Sequence, residues 1–326
     1  MYGCTIVRRL LPMFCLATMS ILAMAPQTTF AKGCQLINLG TLPITNSRFS
    51  PLTTGELDGH KTKVLIDTGS SESMVIMGAA RRAGLDPVHS ANTRLIGMNG
   101  EAAAYKLTVK LLKFGDVVIH NKTLIVAPTD MGDVGLVLGA DVLSRTDVEF
   151  DLANHRVILW EPKDCEHVAL AYWNPNYLLA NLETHWLFGL NVKIDGRKID
   201  AKFDSGTDIT VLSTRVAKHL GFDASKSRQV GFLKGLTSKP LPYYRSTFKE
   251  FTLGPMAIKN PKLRVADLGR DSTYVQTGTR FLKRRDHIPD MYLGADFLRA
   301  NRVYIANSQH LVYFTYNGGP VFDKER

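Results

Sequence analysis

The most constraining feature of this sequence is a short pattern that occurs twice. Val64-Leu65-Ile66 leads into Asp67-Thr68-Gly69-Ser70, and Ala201-Lys202-Phe203 leads into Asp204-Ser205-Gly206-Thr207. Each copy predicts a strand that ends on an aspartate and a tight turn. The glycine allows the turn and removes the side chain that would crowd the carboxylate. Two such carboxylates, one in each half of the chain, indicate a paired-carboxylate site.

The elements around the two aspartates repeat in the same order. The aspartates are 137 residues apart, and the glycines of two Leu-Gly-Ala-Asp segments, Gly139 and Gly294, are 155 residues apart. The difference of 18 residues places an insertion in the second half, which we expect in the basic stretch from about Gly269 to Ile288. Periods above 100 residues indicate duplicated domains rather than a solenoid.

Each half predicts strands, a short helix and a hairpin that contains glycine. The turn signal Asp58-Gly59 joins the first two strands, which begin at Ser50, and a helix is expected at 77–83. Further strands are predicted at 106–114, 117–119 and 123–127, followed by a closing hairpin at 148–151 and 156–160. The second half repeats this order and closes with a hairpin at 303–306 and 311–316.

The first 31 residues predict a signal peptide. Arg8 and Arg9 precede an apolar run from Leu10 to Ala25, and Thr29-Phe30-Ala31 is a suitable cleavage site. We therefore expect an exported protein, periplasmic or secreted, without stable membrane insertion once the signal is removed. An uncleaved membrane anchor is the alternative. About 15–20 residues would then separate cleavage from the first strand, since boundaries err by several residues.

Two cysteines remain after the predicted cleavage. Cys34 precedes the first half of the repeat, and Cys165 follows its last strand. An even pair in an exported chain predicts a disulfide that ties the two ends of this half together. The alternative is two free thiols.

These motifs resemble those of the aspartic protease superfamily. Both Asp-Thr/Ser-Gly-Ser/Thr segments match its catalytic loop, and Val137-Leu138-Gly139 and Tyr292-Leu293-Gly294 match its second signature. The Gly-x-Asp-apolar-Leu continuation is more similar to the retropepsin branch than to the pepsin branch. The resemblance implies an all-β, bilobal acid protease fold with two pseudo-symmetric β-barrel lobes and short helices. The implied lobes are residues 32–165 and 181–326, joined by residues 166–180.

The resemblance also implies roles for individual residues. A water held between Asp67 and Asp204 would be the nucleophile, with one proton shared by the two carboxylates. The supporting residues of the two loops would be Thr68, Gly69, Ser70, Ser205, Gly206 and Thr207. Thr68 and Ser205 would link the loops beneath the aspartates, and the hydroxyls of Ser70 and Thr207 would bind the outer carboxylate oxygens.

Three further groups of residues complete the prediction. Asp141 and Asp296 are expected to cap short helices. Asp208 either faces the paired aspartates or faces away from them. Two hairpins are candidate flaps over a bound peptide, with ordinary tight hairpins as the alternative. Their candidate residues are Gly97, Met98, Gly100, Gly231, Phe232 and Gly235.

The sequence therefore predicts a monomeric aspartic endopeptidase that acts on peptides or proteins. The alternative is an inactive protease-like protein that binds extended peptides in the same cleft. No cofactor or metal is expected, because the nine histidines show no metal-ligand spacing. The formal charge is +10, but only Arg280, Lys283, Arg284 and Arg285 are densely clustered, and no nucleic-acid-binding motif accompanies them. Nucleic acid is therefore not an expected partner.

Overall fold

The computed structural model describes residues 33–45, 50–184, 187–237, 239–268, 275–276, 283–284 and 288–322. Strands dominate these ranges. In chain order they are β1 Gln35–Pro43, β2 Leu52–Leu57, β3 His60–Ile66, β4 Met74–Ile76, β5 Val88–Gly97, β6 Gly100–Phe114, β7 Val117–Ala127, β8 Val134–Leu138, β9 Asp147–Asp151, β10 Arg156–Lys163, β11 Leu178–Asn181, β12 Gly189–Ile194, β13 Arg197–Phe203, β14 Val211–Ser213, β15 Gln229–Leu233, β16 Leu241–Thr247, β17 Glu250–Leu253, β18 Met256–Lys259, β19 Lys262–Ala266, β20 Val275–Gln276, β21 Lys283–Arg284, β22 Met291–Leu293, β23 Asn301–Ala306 and β24 Leu311–Tyr316.

The helices are short. They are α1 Met77–Arg82, α2 Ala140–Leu143, α3 Thr214–His219 and α4 Ala295–Ala300, with single 3-10 turns at Leu152–Asn154 and Ala224–Lys226. Within the described ranges, none of them is long and apolar enough to cross a membrane. The predicted signal peptide and most of the predicted insertion at 269–288 lie outside the described residues.

The first half of the chain forms a closed barrel. Its strands follow the order β2-β3-β8-β4-β7-β6-β5, and an additional pairing between β2 and β6 closes the ring. β3 and β8 run parallel, and β8 is buried along its whole length. Such uninterrupted burial explains why Val134–Leu138 is apolar without alternation. The barrel places the end of β3, and hence Asp67, beside the end of β8.

The second half repeats this barrel with one interruption. Its strand order is β15-β16-β19-β14-β22-β13-β12-β17-β18. Here β16 and β17 together take the place of β6, because β16 pairs with β19 and β17 pairs with β12. The ring therefore closes through a strand that is broken at Phe248 and Lys249. Both halves thus have the barrel that the family resemblance implies.

A third sheet joins the two halves. Its order is β1-β10-β9-β23-β24-β11, so that the closing hairpins of both halves meet at β9 and β23. Phe150 pairs with Val303 at this junction, and both are fully buried. The sequence pattern predicts the two hairpins but not their pairing, which covers an edge that each hairpin would otherwise expose.

The outer strand β1 corrects the prediction for the start of the fold. The sequence pattern places the first strand at Ser50, whereas β1 begins at Gln35, four residues after Ala31. The expected gap of about 15–20 residues is therefore wrong. The segment lacks regular alternation because a bulge between Asn38 and Gly40 interrupts its pairing with β10.

The predicted disulfide is confirmed. Cys34 lies immediately before β1 and is bonded to Cys165, which follows the partner strand β10. Both cysteines are buried. The bond fixes the outer edge of the shared sheet, and a crosslink of this kind typically contributes about 2–4 kcal/mol to the free energy of unfolding.

The predicted strands at 117–119 and 123–127 are one continuous strand, β7. Asn121 has a positive φ of 51°, and the pairing with β6 is interrupted at this residue but resumes in the same register. The strand therefore continues through a local distortion rather than ending. Asparagine tolerates this left-handed conformation better than most residues.

Candidate active site

The two aspartates occupy equivalent positions in the two barrels. The Asp67 amide donates a hydrogen bond to the Leu138 carbonyl (3.0 Å), and the Asp204 amide donates to the Leu293 carbonyl (3.0 Å). Each acceptor belongs to the parallel strand behind the aspartate, β8 or β22. The second motif therefore anchors the end of the strand that carries the first motif.

The glycines after these acceptors are required by close packing. A Cβ at Gly139 would lie 2.5 Å from the carbonyl carbon of Glu72, and one at Gly294 would lie 2.5 Å from that of Ile209. A side chain at either position would push the loop after the aspartate out of place. This contact gives a physical reason for the glycine in both Leu-Gly-Ala-Asp segments.

The two aspartate side chains meet at the junction of the barrels. They are in hydrogen-bonding contact with each other. A Cβ at Gly69 would lie 2.4 Å from Cγ of Asp204, and a Cβ at Gly206 would lie 2.2 Å from Cγ of Asp67. Each loop therefore presses its glycine against the carboxylate of the other half, and only glycine fits there.

A reciprocal set of hydrogen bonds joins the loops beneath the carboxylates. The Thr68 hydroxyl donates to the Phe203 carbonyl (2.8 Å) and accepts from the Ser205 amide (3.1 Å). The Ser205 hydroxyl donates to the Ile66 carbonyl (2.7 Å) and accepts from the Thr68 amide (3.0 Å). Both side chains are fully buried. The predicted link between the loops is confirmed.

Backbone amides, rather than hydroxyls, bind the carboxylates. Asp67 Oδ1 accepts from the amides of Gly69 (2.8 Å) and Ser70 (3.1 Å). Asp204 Oδ1 accepts from the amide of Thr207 (3.1 Å). These bonds orient both carboxylates and favour their charged forms.

The prediction for the hydroxyls of Ser70 and Thr207 is wrong in this structure. Ser70 Oγ donates to the Glu72 carbonyl (2.8 Å), and Thr207 Oγ1 donates to the Ile209 carbonyl (3.4 Å). A hydroxyl in a turn readily reaches the backbone two residues further on. Each hydroxyl therefore stabilises the turn after the aspartate.

The environment of the aspartates favours retention of one proton. Burial raises the pKa of Asp67 above its ordinary value. Burial and the neighbouring charge of Asp67 raise the pKa of Asp204 to about 8. Two adjacent carboxylates cannot both ionise cheaply, so that the pair titrates as a unit. The pair thus holds a shared proton from acidic pH to about pH 8.

Lys202 is a member of the site that sequence reasoning missed. It lies on β13 two residues before Asp204, and its Nζ donates to the Gly69 carbonyl of the other half (2.8 Å). Burial lowers the pKa of Lys202, whereas the charges of Asp204 and Asp67 raise it. The sequence signal is weak, because Lys202 continues the polar alternation of the strand Arg197–Phe203, and it differs from the first half only in replacing an apolar residue, Leu65.

Asp208 faces away from the paired aspartates. Its Oδ1 accepts hydrogen bonds from the amide (2.8 Å) and hydroxyl (2.9 Å) of Ser50 in the first half. This carboxylate therefore joins the two halves. The alternative in which it forms a third carboxylate of the site is excluded by this orientation.

Asp141 and Asp296 brace the loops and do not cap helices as predicted. The N-cap positions are Gly139 and Gly294, and neither helix has a side-chain cap. Asp141 instead accepts from the amide (2.7 Å) and hydroxyl (2.6 Å) of Ser73. Asp296 makes the equivalent bonds to Thr210 (2.8 and 2.6 Å). Both aspartates lie two residues after the N-cap, inside the first turn.

The two candidate flaps touch each other. Asn99, at the tip of the β5–β6 hairpin, is 6% exposed and binds the loop between β15 and β16. Its Nδ2 donates to the carbonyls of Thr237 (2.8 Å) and Lys239 (2.9 Å), and its Oδ1 accepts from the Thr237 amide (3.2 Å). We call this set of bonds the Asn99 clasp.

Each flap also packs against the opposite half. Met98 packs against a buried apolar cluster of the second half that contains Val211 and Leu233. Leu236 contacts a cluster of the first half that includes Leu65. Because Leu65 lies on β3 and Val211 on β14, each flap tip packs against the barrel of the opposite half.

The tip of the second flap lies later in the chain than predicted. Gly231 and Phe232 belong to the strand β15, and Phe232 is 58% exposed. The contact is made by Gly235 to Thr237, where a Cβ at Gly235 would lie 2.5 Å from Oδ1 of Asn99. In the first flap, Gly97, Met98 and Gly100 do lie at the tip.

Comparison with known families matches each half separately. Residues 53–145 match the family described as "gag-polyprotein putative aspartyl protease", and residues 190–297 match the family described as "Aspartyl protease". The sequence comparison with curated proteins finds no match. The two domains follow one another in one chain, and each contains one of the paired aspartates. The chain therefore belongs to the aspartic protease superfamily, as two retropepsin-like domains in tandem.

Proposed function

We propose that this protein is an aspartic endopeptidase whose catalytic residues are Asp67 and Asp204. The observation that carries the proposal is the contact between the partly buried carboxylate of Asp67 and the buried carboxylate of Asp204, which equivalent loops hold and which can share one proton. A water bound between them is the proposed nucleophile. The two carboxylates share one proton in the resting pair, because burial and the charge of Asp67 raise the pKa of Asp204 to about 8.

The proposed reaction uses the two carboxylates as base and acid. The ionised member takes a proton from the water as the water oxygen attacks the scissile carbonyl carbon. The protonated member donates a hydrogen bond to the carbonyl oxygen, on which negative charge develops. The proton taken from the water then passes to the departing amine, and the carbon–nitrogen bond breaks. This cycle restores the singly protonated pair.

The substrate is proposed to be an extended peptide held between the flaps and the aspartates. Since Met98 and Leu236 each pack against the opposite half, the Asn99 clasp must open before a peptide can enter. Such opening is a common gating step in enzymes. The glycines at the tips, Gly97 and Gly100, allow the backbone to move.

We further propose that the protein acts as a monomer outside the cytoplasm. One chain supplies both aspartates and both flaps, so that no second copy is needed to complete the site. The disulfide between Cys34 and Cys165 supports an oxidising compartment. The predicted signal peptide supports the same location.

A cleavage assay on an unstructured protein, with and without a statine-type inhibitor, tests the proposal. We expect inhibitor-sensitive cleavage, and a loss of about 10³-fold or more in kcat for Asp67→Asn and for Asp204→Asn, because either change removes the acid–base pair. Asp116→Asn makes the same chemical change at an exposed turn and should be neutral. Full activity in either of the first two variants would contradict the assignment. Tight inhibitor binding without any cleavage would favour the inactive peptide-binding protein.

A further inference from the structure

We propose that Lys202 is a positioning residue whose ammonium group offsets the charge of the Asp67–Asp204 pair and thereby sets the pH range of activity. Its catalytic consequence rests on the proposed peptidase function. The first half has Leu65 at the corresponding position, so the site carries this cation on one side alone among the described residues.

The geometry places the ammonium at the contact between the two loops. Lys202 Nζ donates to the carbonyl of Gly69 (2.8 Å), and the amide of the same glycine donates to Asp67 (2.8 Å). Lys202 therefore reaches from the strand that carries Asp204 to the loop that carries Asp67. A cation in this position interacts with both carboxylates at once.

The surroundings of Lys202 leave few other charged partners. On the neighbouring strands it is in register with Tyr292 of β22 and Gly189 of β12. Burial and the two carboxylates raise the pKa of Tyr292, so its phenol is neutral. Among the described residues, the charged groups that face the ammonium are therefore Asp204, which directly follows the strand of Lys202, and Asp67 on the opposite loop.

The charges of Lys202, Asp67 and Asp204 cancel when the two aspartates together hold one proton. An aspartate pair with one proton carries a single negative charge, which the ammonium of Lys202 neutralises. A nearby cation favours ionised carboxylates and lowers their apparent pKa values. With Lys202 present, the activity should therefore rise and fall at lower pH values than it would with the two carboxylates alone.

Replacement of the lysine by neutral residues tests this role. Lys202→Met retains the length of the side chain, and Lys202→Leu copies the first half and serves as a second variant if the first fails to fold. We expect both limbs of the pH profile for kcat and for kcat/KM to move upward by about 1–3 pH units, the usual effect of an opposite charge within a few ångströms. Lys202→Arg should retain the wild-type profile. Lys198→Met removes an exposed lysine from the same strand and should leave the profile unchanged.

A direct titration separates this proposal from the proposed function. The carboxyl carbons of ¹³Cγ-labelled aspartate can be followed by NMR in the wild type and in Lys202→Met, whether or not the protein cleaves peptides. Upward shifts in the titration of Asp67 and Asp204 would support the proposal even if no cleavage were found. Unchanged titration would overturn it. A changed preference for acidic peptides with unmoved pH limbs would also overturn it, because Lys202 would then act on substrate.

Discussion

The two halves of the site share one scaffold but present different side chains. The loops of Asp67 and Asp204 are held by the same cross-link and by the same type of amide contact. On the strand pair behind each loop, however, Leu65 is in register with Val137, whereas Lys202 is in register with Tyr292. The residues that orient the carboxylates are therefore alike in the two halves, whereas the residues on the neighbouring strands differ.

This comparison separates two requirements on the sequence. Thr68 and Ser205 are interchangeable hydroxyls because each must donate to one carbonyl and accept from one amide of the other loop. Leu65 and Lys202 have no such shared bond, so they are free to differ. The difference makes the first half of the site apolar and gives the second half a cation and a phenol. We therefore expect the paired aspartates to be chemically unequal.

The chemical difference between Asp67 and Asp204 should have its largest effect on the pH dependence of the free energy of unfolding. The folded-state pKa of Asp204 is about 8, against an ordinary value of 3.8. Between these two pH values the folded protein holds a proton that the unfolded chain has released, so the free energy of unfolding should fall as the pH rises. We expect a decrease of about 3–5 kcal/mol from pH 4 to pH 8 in the wild type, by urea unfolding at a series of pH values.

Asp204→Asn should reduce this slope, because the amide has no proton to lose, whereas Asp147 and Asp296, whose pKa values are also raised by burial, should retain their share of it. Asp116→Asn, at an exposed turn, should retain it. An unchanged slope in Asp204→Asn would show that the buried pair does not hold the extra proton, and the inequality of the halves would lose its physical basis.

A smaller effect is expected at the contact between the flaps, where the halves also differ. Asn99 from the first flap supplies the side chain of the clasp, and the second flap supplies mainly backbone groups of Thr237 and Lys239. Asn99→Ala removes three hydrogen bonds, each worth about 0.5–1.5 kcal/mol. We expect amide hydrogen exchange at Gly97, Met98 and Leu236 to become about tenfold faster or more.

Glu101→Ala, an exposed change on the same hairpin, is the matched control and should leave the exchange unchanged. Equal protection of the flap amides in Asn99→Ala and in the wild type would mean that packing of Met98 and Leu236, rather than the clasp, holds the tips. Apolar packing alone would then account for the contact between the flaps.

The sequence predicts the parts of this fold that depend on local pattern or repetition. The duplicated motifs predict two equivalent halves, and the resemblance that they carry implies both barrels and the link between Thr68 and Ser205. The positions of Cys34 and Cys165 predict the disulfide. The pairing of Phe150 with Val303 could not be predicted in this way, because local pattern does not specify which edges of two hairpins will meet. The tip of the second flap was misplaced because its turn lies beyond the glycine signal.

In the candidate site, too, some features follow from the sequence and others depend on how the two halves pack. Both aspartates and the loop glycines follow from the motifs. The contact of Lys202 with Gly69 crosses between the halves and depends on how the barrels are placed, which no single strand pattern contains. The orientation of Asp208 toward Ser50 has the same cause.

The pH dependence of peptide cleavage tests the central claim most directly, since the claim is that a singly protonated pair of aspartates performs the reaction. We predict a bell-shaped profile of kcat/KM on the acidic side, with activity lost as the pH rises through about 8. The measurement needs one unstructured peptide substrate, a series of buffers of constant ionic strength, and a check that the protein remains folded at each pH. A rate that climbs steadily into alkaline pH would contradict the account, because it would require a different nucleophile.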